Sequence, residues 1–112
     1  MSSELIKTAS TALLLTGLAF SGLAGAAGEV GDATAGAQKI ALCAACHGMD
    51  GKATAAVYPH LAGQSTTYLE ASLKAYRAGE RGGGMSAVMT PQAASLSDQD
   101  IADIAAYYSQ QK

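Results

Sequence analysis

At 112 residues the chain has room for one domain, and its formal charge of −2 leaves no electrostatic footprint for nucleic acid or an anionic lipid surface. Residues 27–112 hold eleven Leu, Ile and Val and neither Phe nor Trp. That is about 13% large aliphatics, where roughly 20% is the level below which a charged chain is suspected of disorder. A weakly charged, Ala-rich sequence of this kind needs something other than side chains to pack around.

The first segment stands apart from the rest. Lys7 and the amino terminus form a modest positive region, residues 9–24 are apolar or small without charge, and Ala24-Gly25-Ala26 makes a small-x-small cleavage site. A membrane anchor would want about 20 strongly apolar residues. This run is shorter and diluted by Ser, Thr and Gly. Residues 1–26 are therefore expected to be a cleaved secretory signal peptide, with residues 27–112 as the working domain, exported to the periplasm.

After a short lead at residues 29–31, Asp32 is an N-cap candidate for a helix through Ala35 and Ile40 toward Cys46. Gly36 inside that helix costs up to about 1 kcal/mol against Ala, for which close approach of another helix is the usual reason and simple tolerance in an Ala-rich helix the other reading. Then comes Cys43-Ala44-Ala45-Cys46-His47. Two cysteines three apart lie on one face of a helix turn, about 4.5 Å apart along the axis, so both thiols can add to the vinyl groups of one porphyrin. The histidine that follows falls under the iron, and the pentapeptide is the attachment signature of c-type haem. Both cysteines are used by this motif, which leaves none for a disulfide framework and accounts for export at the same time. One covalently bound haem c is the expected cofactor, and the core that the side chains lack.

A second helix is expected over about residues 66–78, capped by Ser65 and ended by Gly79, with Leu69, Leu73 and Tyr76 toward the haem. Glu70 and Lys74 form an i,i+4 pair on its outer face. Gly82-Gly83-Gly84 reads as a flexible loop and not a phosphate cradle, because no Lys-Ser/Thr follows and no strand precedes it. The last helix opens at Ser97-Asp98-Gln99-Asp100, a capping start with Asp100 in place of the usual Glu or Gln. Ile101, Ile104, Ala105 and Tyr108 follow at helical spacing. No stretch alternates as a strand would.

A haem held by His47 takes a sixth ligand or keeps an open site. Met49 is too near His47 to reach the opposite face. Met85 and Met89 both follow the glycine loop and either can reach across, Met89 being presented by the rigid Thr90-Pro91 turn. His60 lies beside Pro59 and is expected at the surface. Arg77, Arg81 and Gln64 are within reach of the propionates, although nothing in the sequence separates that from ordinary surface positions.

The chain resembles a small monohaem class I cytochrome c of bacterial, periplasmic type. The likeness runs from Gly31-Asp32 to Tyr107-Tyr108 and rests on Cys43-Ala44-Ala45-Cys46-His47-Gly48, Pro59-His60-Leu61-Ala62-Gly63-Gln64, Met89-Thr90-Pro91 and Leu96-Ser97-Asp98. It implies an all-α fold, three or four helices wrapped around one haem. It implies that the first and last helices cross where a glycine meets an aromatic, here Gly36 and Tyr107. It also selects Met89 over Met85 as the second iron ligand, since the family's methionine stands seven residues before the Leu-Ser-Asp opening of the last helix. Finally it implies that the Pro59 carbonyl accepts from the other ring N–H of His47, which fixes the tautomer of a metal-bound histidine.

His/Met ligation leaves no coordination site for substrate and small reorganisation on reduction, the design of a one-electron carrier and not of an enzyme. The expected partners are a quinol-oxidising complex or dehydrogenase on one side and a terminal oxidase or reductase on the other, met through small transient interfaces. No nucleic acid and no stable membrane insertion after signal cleavage are expected. Two alternatives stay open: a cytochrome subunit of a larger oxidoreductase, and a ligand-binding haem sensor with an open iron.

Overall fold

The computed structural model describes residues 28–112 and, before them, Gly17. Apart from Gly17, the segment expected to be a signal peptide lies outside the described residues. The described part is all-α: α1 (Ala33–Ala37), α2 (Ala41–His47), α3 (Thr66–Arg77), a 3₁₀ helix (Gly84–Val88), α4 (Met89–Ala93) and α5 (Asp98–Ser109). No strand occurs among the described residues.

The last helix is the spine. Ser97 Oγ accepts from Asp100 N at 3.0 Å while Asp100 Oδ2 accepts from Ser97 N at 3.0 Å, the reciprocal cap expected from the sequence. From there Ile101, Ile104, Ala105 and Tyr108 turn inward and are almost fully buried. With Ile40 and Leu69 they form the core, and Cys43, Leu61, Leu73, Leu96 and Tyr107 pack against it.

Against α5 lies α1, capped by Asp32, whose Oδ1 accepts from Thr34 N at 2.8 Å and Ala35 N at 3.3 Å. The crossing is as close as a glycine allows. A Cβ on Gly36 would stand 2.1 Å from the Asp103 carbonyl oxygen and 2.9 Å from Tyr107 Cβ. Gly36 and Tyr107 meet as expected, with the α5 backbone itself as the nearer obstacle.

The single helix expected from Asp32 toward Cys46 is instead two. Gln38 N and Lys39 N close short turns onto the Ala35 and Gly36 carbonyls (3.1 and 2.8 Å), and Ile40, at φ −94° and ψ 6°, begins the new helix. Both residues at the break have tertiary partners. Lys39 Nζ swings onto Asp103 Oδ2 at 2.7 Å and Asp100 Oδ1 at 2.9 Å, while the neighbouring Ile40 enters the core at 1% exposure. Asp103 also accepts from Asp32 N and Gln99 Nε2, both at 2.8 Å. The Lys39 hydrogen bond, then those two, draw its carboxyl down to about 2.

Ser65 caps α3 as expected, its Oγ accepting from Tyr68 N at 3.1 Å, and Gly79 at φ 72° follows its end. Glu70 and Lys74 are not joined by an ion pair among the described residues. The basic end of α3 goes to the start of α5 instead: Arg77 donates to the Leu96 carbonyl at 3.0 Å and to Asp98 Oδ1 at 2.6 Å. Beyond the glycines, the rigid turn expected at Met89-Thr90-Pro91 is the first turn of α4, where proline's missing N–H costs nothing.

Candidate haem site

The break after α1 frees α2 to run along a cavity of about 560 Å³. Cys43 and Cys46 sit one helical turn apart, half-buried, and both line it. Burial pushes the Cys43 thiol above its ordinary value, so it stays protonated at neutral pH. His47 is the last residue of α2 and is buried at 6% exposure. Gly48 then turns the chain at φ 80°, a conformation in which an L side chain is strained.

His47 Nδ1 stands 2.8 Å from the Pro59 carbonyl oxygen. A carbonyl only accepts, so the proton is on Nδ1 and the lone pair on Nε2, the nitrogen left to a metal. The loop that brings Pro59 round is stitched internally. Gly51 O accepts from Leu61 N at 2.7 Å and Ala62 N at 3.1 Å, and Thr54 N returns to the Cys46 carbonyl at 3.1 Å. From α5, Tyr108 Oη donates to Gly48 O at 3.0 Å and Tyr107 Oη to Met49 O at 2.6 Å. Burial raises the Tyr108 hydroxyl well above the usual tyrosine range, so it remains a donor.

Two methionines reach the same cavity, Met85 from the 3₁₀ helix and Met89 from the first position of α4. Met85 is 55% exposed, whereas Met89 is half-buried. Met49 is exposed and does not line the cavity. His60 lines the rim, but its Nδ1 is held by Ala53 N–H at 2.7 Å. Of the polar residues weighed for propionates, Arg77 is committed to Leu96 and Asp98 and lies off the cavity, while Gln64 and Arg81 line it. Arg81 stacks over Tyr76, its guanidinium carbon 4.9 Å from the ring centroid.

These residues suit a c-type haem. The cavity falls within the range of about 300–1,000 Å³ usual for ligand clefts. Its walls are apolar, and it gathers two thiols, an imidazole with a free lone pair and thioether sulfurs, the soft N and S donors that iron porphyrins take. Leu42, Val57, Met85 and Val88, otherwise unusually exposed apolar side chains, all belong to its lining. Sequence reasoning missed the Lys39–Asp100–Asp103 cluster and the two tyrosine hydroxyls behind the His47 loop. Their partners lie 58–64 residues apart, and no local pattern marks them.

Comparison with known proteins agrees. The cytochrome c family profile matches residues 33–112. The chain is 65% identical over 82 residues to cytochrome c-554(548) of Halomonas halodenitrificans, a match covering 73% of this chain and 99% of that one. It is 46% identical over 97 residues to cytochrome c4 of Stutzerimonas stutzeri, covering 81% of this chain and 46% of the relative. The crystal structure of reduced recombinant cytochrome c4 from Pseudomonas stutzeri superposes with a TM-score of 0.66 at 46% identity, over 74% of this chain and 47% of that one. The chain thus spans nearly all of the first relative and about half the length of the second. With one attachment motif on one helix turn, a cavity built for the porphyrin and these relatives, the chain is a class I cytochrome c, an electron carrier with covalently bound haem c.

Proposed function

We propose that this cytochrome is a periplasmic one-electron shuttle with a single haem, attached through Cys43 and Cys46 and ligated by His47 Nε2 and Met89 Sδ. The observation that carries this reading is the convergence of both thiols, His47 and Met89 on one apolar cavity, with Nδ1 of His47 already committed to Pro59. Met89 is favoured over Met85 because its backbone is fixed in a helical turn and its side chain is the less exposed.

When bound, the haem supplies a one-electron iron couple. The chain's own residues set the conditions. The Pro59 carbonyl holds the imidazole in one tautomer and makes it a stronger donor. A thioether ligand favours ferrous iron, and the apolar walls exclude water and disfavour added charge. With His47 and Met89 holding the iron in both oxidation states, reorganisation would stay small. Leu42, Val57, Met85 and Val88 ring the cavity where a redox partner would approach. A dehydrogenase or quinol-oxidising complex as donor and an oxidase or reductase as acceptor fit such a brief contact. The uncharged run before a small-x-small site supports export with loss of residues 1–26.

The test is the absorption spectrum of the matured protein, oxidised and reduced, with and without carbon monoxide. Low-spin spectra with a weak sulfur-to-iron band, unmoved by carbon monoxide, are expected. Met89→Ala should lose that band and Met85→Ala should keep it. A high-spin spectrum that shifts with carbon monoxide would overturn His/Met ligation in favour of a ligand-binding haem protein.

A further inference from the structure

The loop that delivers the Pro59 carbonyl is closed by a side chain that the electron-carrier reading does not use. Its two arms, residues 51–54 and 58–62, run back beside each other. The paired bonds from Leu61 N and Ala62 N to Gly51 O join their bases. Nearer the tip the joint is a side chain: Ala53 N–H donates to His60 Nδ1 at 2.7 Å. A backbone N–H only donates, so Nδ1 of His60 carries the lone pair and Nε2 the proton. The two histidines of the chain are thus held in opposite tautomers, His47 by a carbonyl and His60 by an amide.

The neighbour relation matters. Pro59, whose carbonyl takes the His47 proton, immediately precedes His60, so the peptide unit that carries this carbonyl also carries the nitrogen of His60. Proline has no N–H with which to tie this arm to its partner, and the turn bond from Tyr58 N to Ala55 O stays within the tip. Fixing His60 against Ala53 therefore fixes the plane of that peptide.

We propose that His60 is a positioning residue for the His47–Pro59 hydrogen bond, its Nδ1 holding the Pro59 carbonyl on the His47 imidazole through the Ala53 clamp. The proposal rests on His47 being the iron ligand. A carbonyl held firmly on Nδ1–H gives the imidazole more anionic character and favours ferric iron. Loosening the clamp weakens that bond and raises the reduction potential.

The experiment compares holo wild type with His60→Ala, His60→Asn and His60→Gln. Asparagine places Oδ1 where histidine has Nδ1, whereas glutamine carries its carbonyl one methylene farther out. Three quantities are read: the reduction potential, hydrogen exchange of the His47 Nδ1 proton by NMR in the reduced protein, and hydrogen exchange of the Ala53 amide. Losing a bond of ordinary net strength should speed both exchanges about fivefold in His60→Ala, with a higher potential. His60→Asn should return all three to wild-type values, and His60→Gln should not. If His60→Ala fails to mature, the contrast between Asn and Gln carries the same test. An unchanged potential and His47 exchange in His60→Ala, or an Asn variant as altered as the Ala or Gln one, would overturn the proposal. The Ala53 amide reports the clamp whatever binds the iron. A wild-type protein lacking the signals of a ligated His47 would instead overturn the ligand assignment, and the proposal with it.

Discussion

Gly36→Ala puts helix propensity and packing in direct opposition. Alanine is the better helix former by up to about 1 kcal/mol, so propensity alone predicts stabilisation. The structure predicts the reverse. The new Cβ would lie 2.1 Å from the Asp103 carbonyl oxygen and 2.7 Å from its carbon. Both are backbone atoms of α5, the most buried helix among the described residues, so no rotamer change relieves the overlap. Restoring ordinary contact means moving α1 from α5 by about 1 Å, against interiors packed at crystal density. Overpacking of this kind costs about 1–3 kcal/mol, and a backbone obstacle places it at the upper end. After subtracting the propensity gain, a net loss of about 2 kcal/mol remains, or roughly 8–16 °C in Tm for a domain of this size. The assay is denaturant and thermal unfolding of the holoprotein, with Gly82→Ala as the control. Nothing lies within 4 Å of a Cβ there, and Gly82 is not among the positive-φ glycines. The control should be neutral or slightly stabilising. A Gly36→Ala protein as stable as its parent would refute the packing argument and leave Gly36 as a tolerated residue in an Ala-rich helix.

Other perturbations follow from the same geometry. Ser97→Ala removes one half of the reciprocal cap on α5 and should cost about 1 kcal/mol in denaturant unfolding, with the absorption spectrum unchanged. Tyr108→Phe removes one of the two hydrogen bonds to the Gly48 carbonyl, which keeps the Gly51 N–H at 3.2 Å, and should cost about 0.5–1.5 kcal/mol, read by thermal melts of the holoprotein. The carboxyl of Asp103 lies at about 2 when folded, below its usual 3.8. Its stabilisation is therefore complete above about pH 4 and is lost as the pH falls through 4 toward 2. Tm should decline over that window, and Lys39→Met should flatten the decline. Without haem the chain lacks most of its core, so the apoprotein made without haem attachment should show little native helicity by circular dichroism and should melt without a cooperative transition.

What could be read from the sequence was whatever is written over a few residues. Cys43-Ala44-Ala45-Cys46-His47 declares its chemistry because both thiols and the imidazole must meet one planar group. Ser97 and Asp100 declare a helix start because the two halves of the cap lie three residues apart. Ser65, Gly79 and the inward stripe of α5 were legible for the same local reason. The break at residues 38–40 was not. Ala, Gln and Lys all favour helix, and the carboxylate that holds Lys39 at the break lies 64 residues away. The short α4 is not legible either, because Pro91 marks a helix start and a turn equally well. The Glu70–Lys74 pair has the right spacing and the favoured order, yet a pair of this kind contributes too little to hold two long side chains in one geometry. Among the site residues, Cys43, Cys46, His47, Pro59, Met85 and Met89 are gathered at one place, while the residues that stiffen that place are the ones local patterns cannot show.

That stiffening has a direction. The cavity wall carrying His47 is held from three sides: α2 docks through Ile40 and Cys43 into the core, α5 donates two tyrosine hydroxyls to the carbonyls that follow His47, and the Pro59 loop grips the imidazole from behind. The wall carrying the methionines is built otherwise. It follows three glycines, two of them at positive φ, and runs through a 3₁₀ turn with no buried residue before Met89 enters α4. Local opening free energies track such differences in packing and backbone hydrogen bonding. Heat or denaturant should therefore release the methionine side first, while the histidine side stays in place. The sulfur-to-iron band would then fade at a lower denaturant concentration than the far-ultraviolet signal of the helices. Coincident transitions would show the two walls to be one cooperative unit, with the glycine loop contributing no separate weakness.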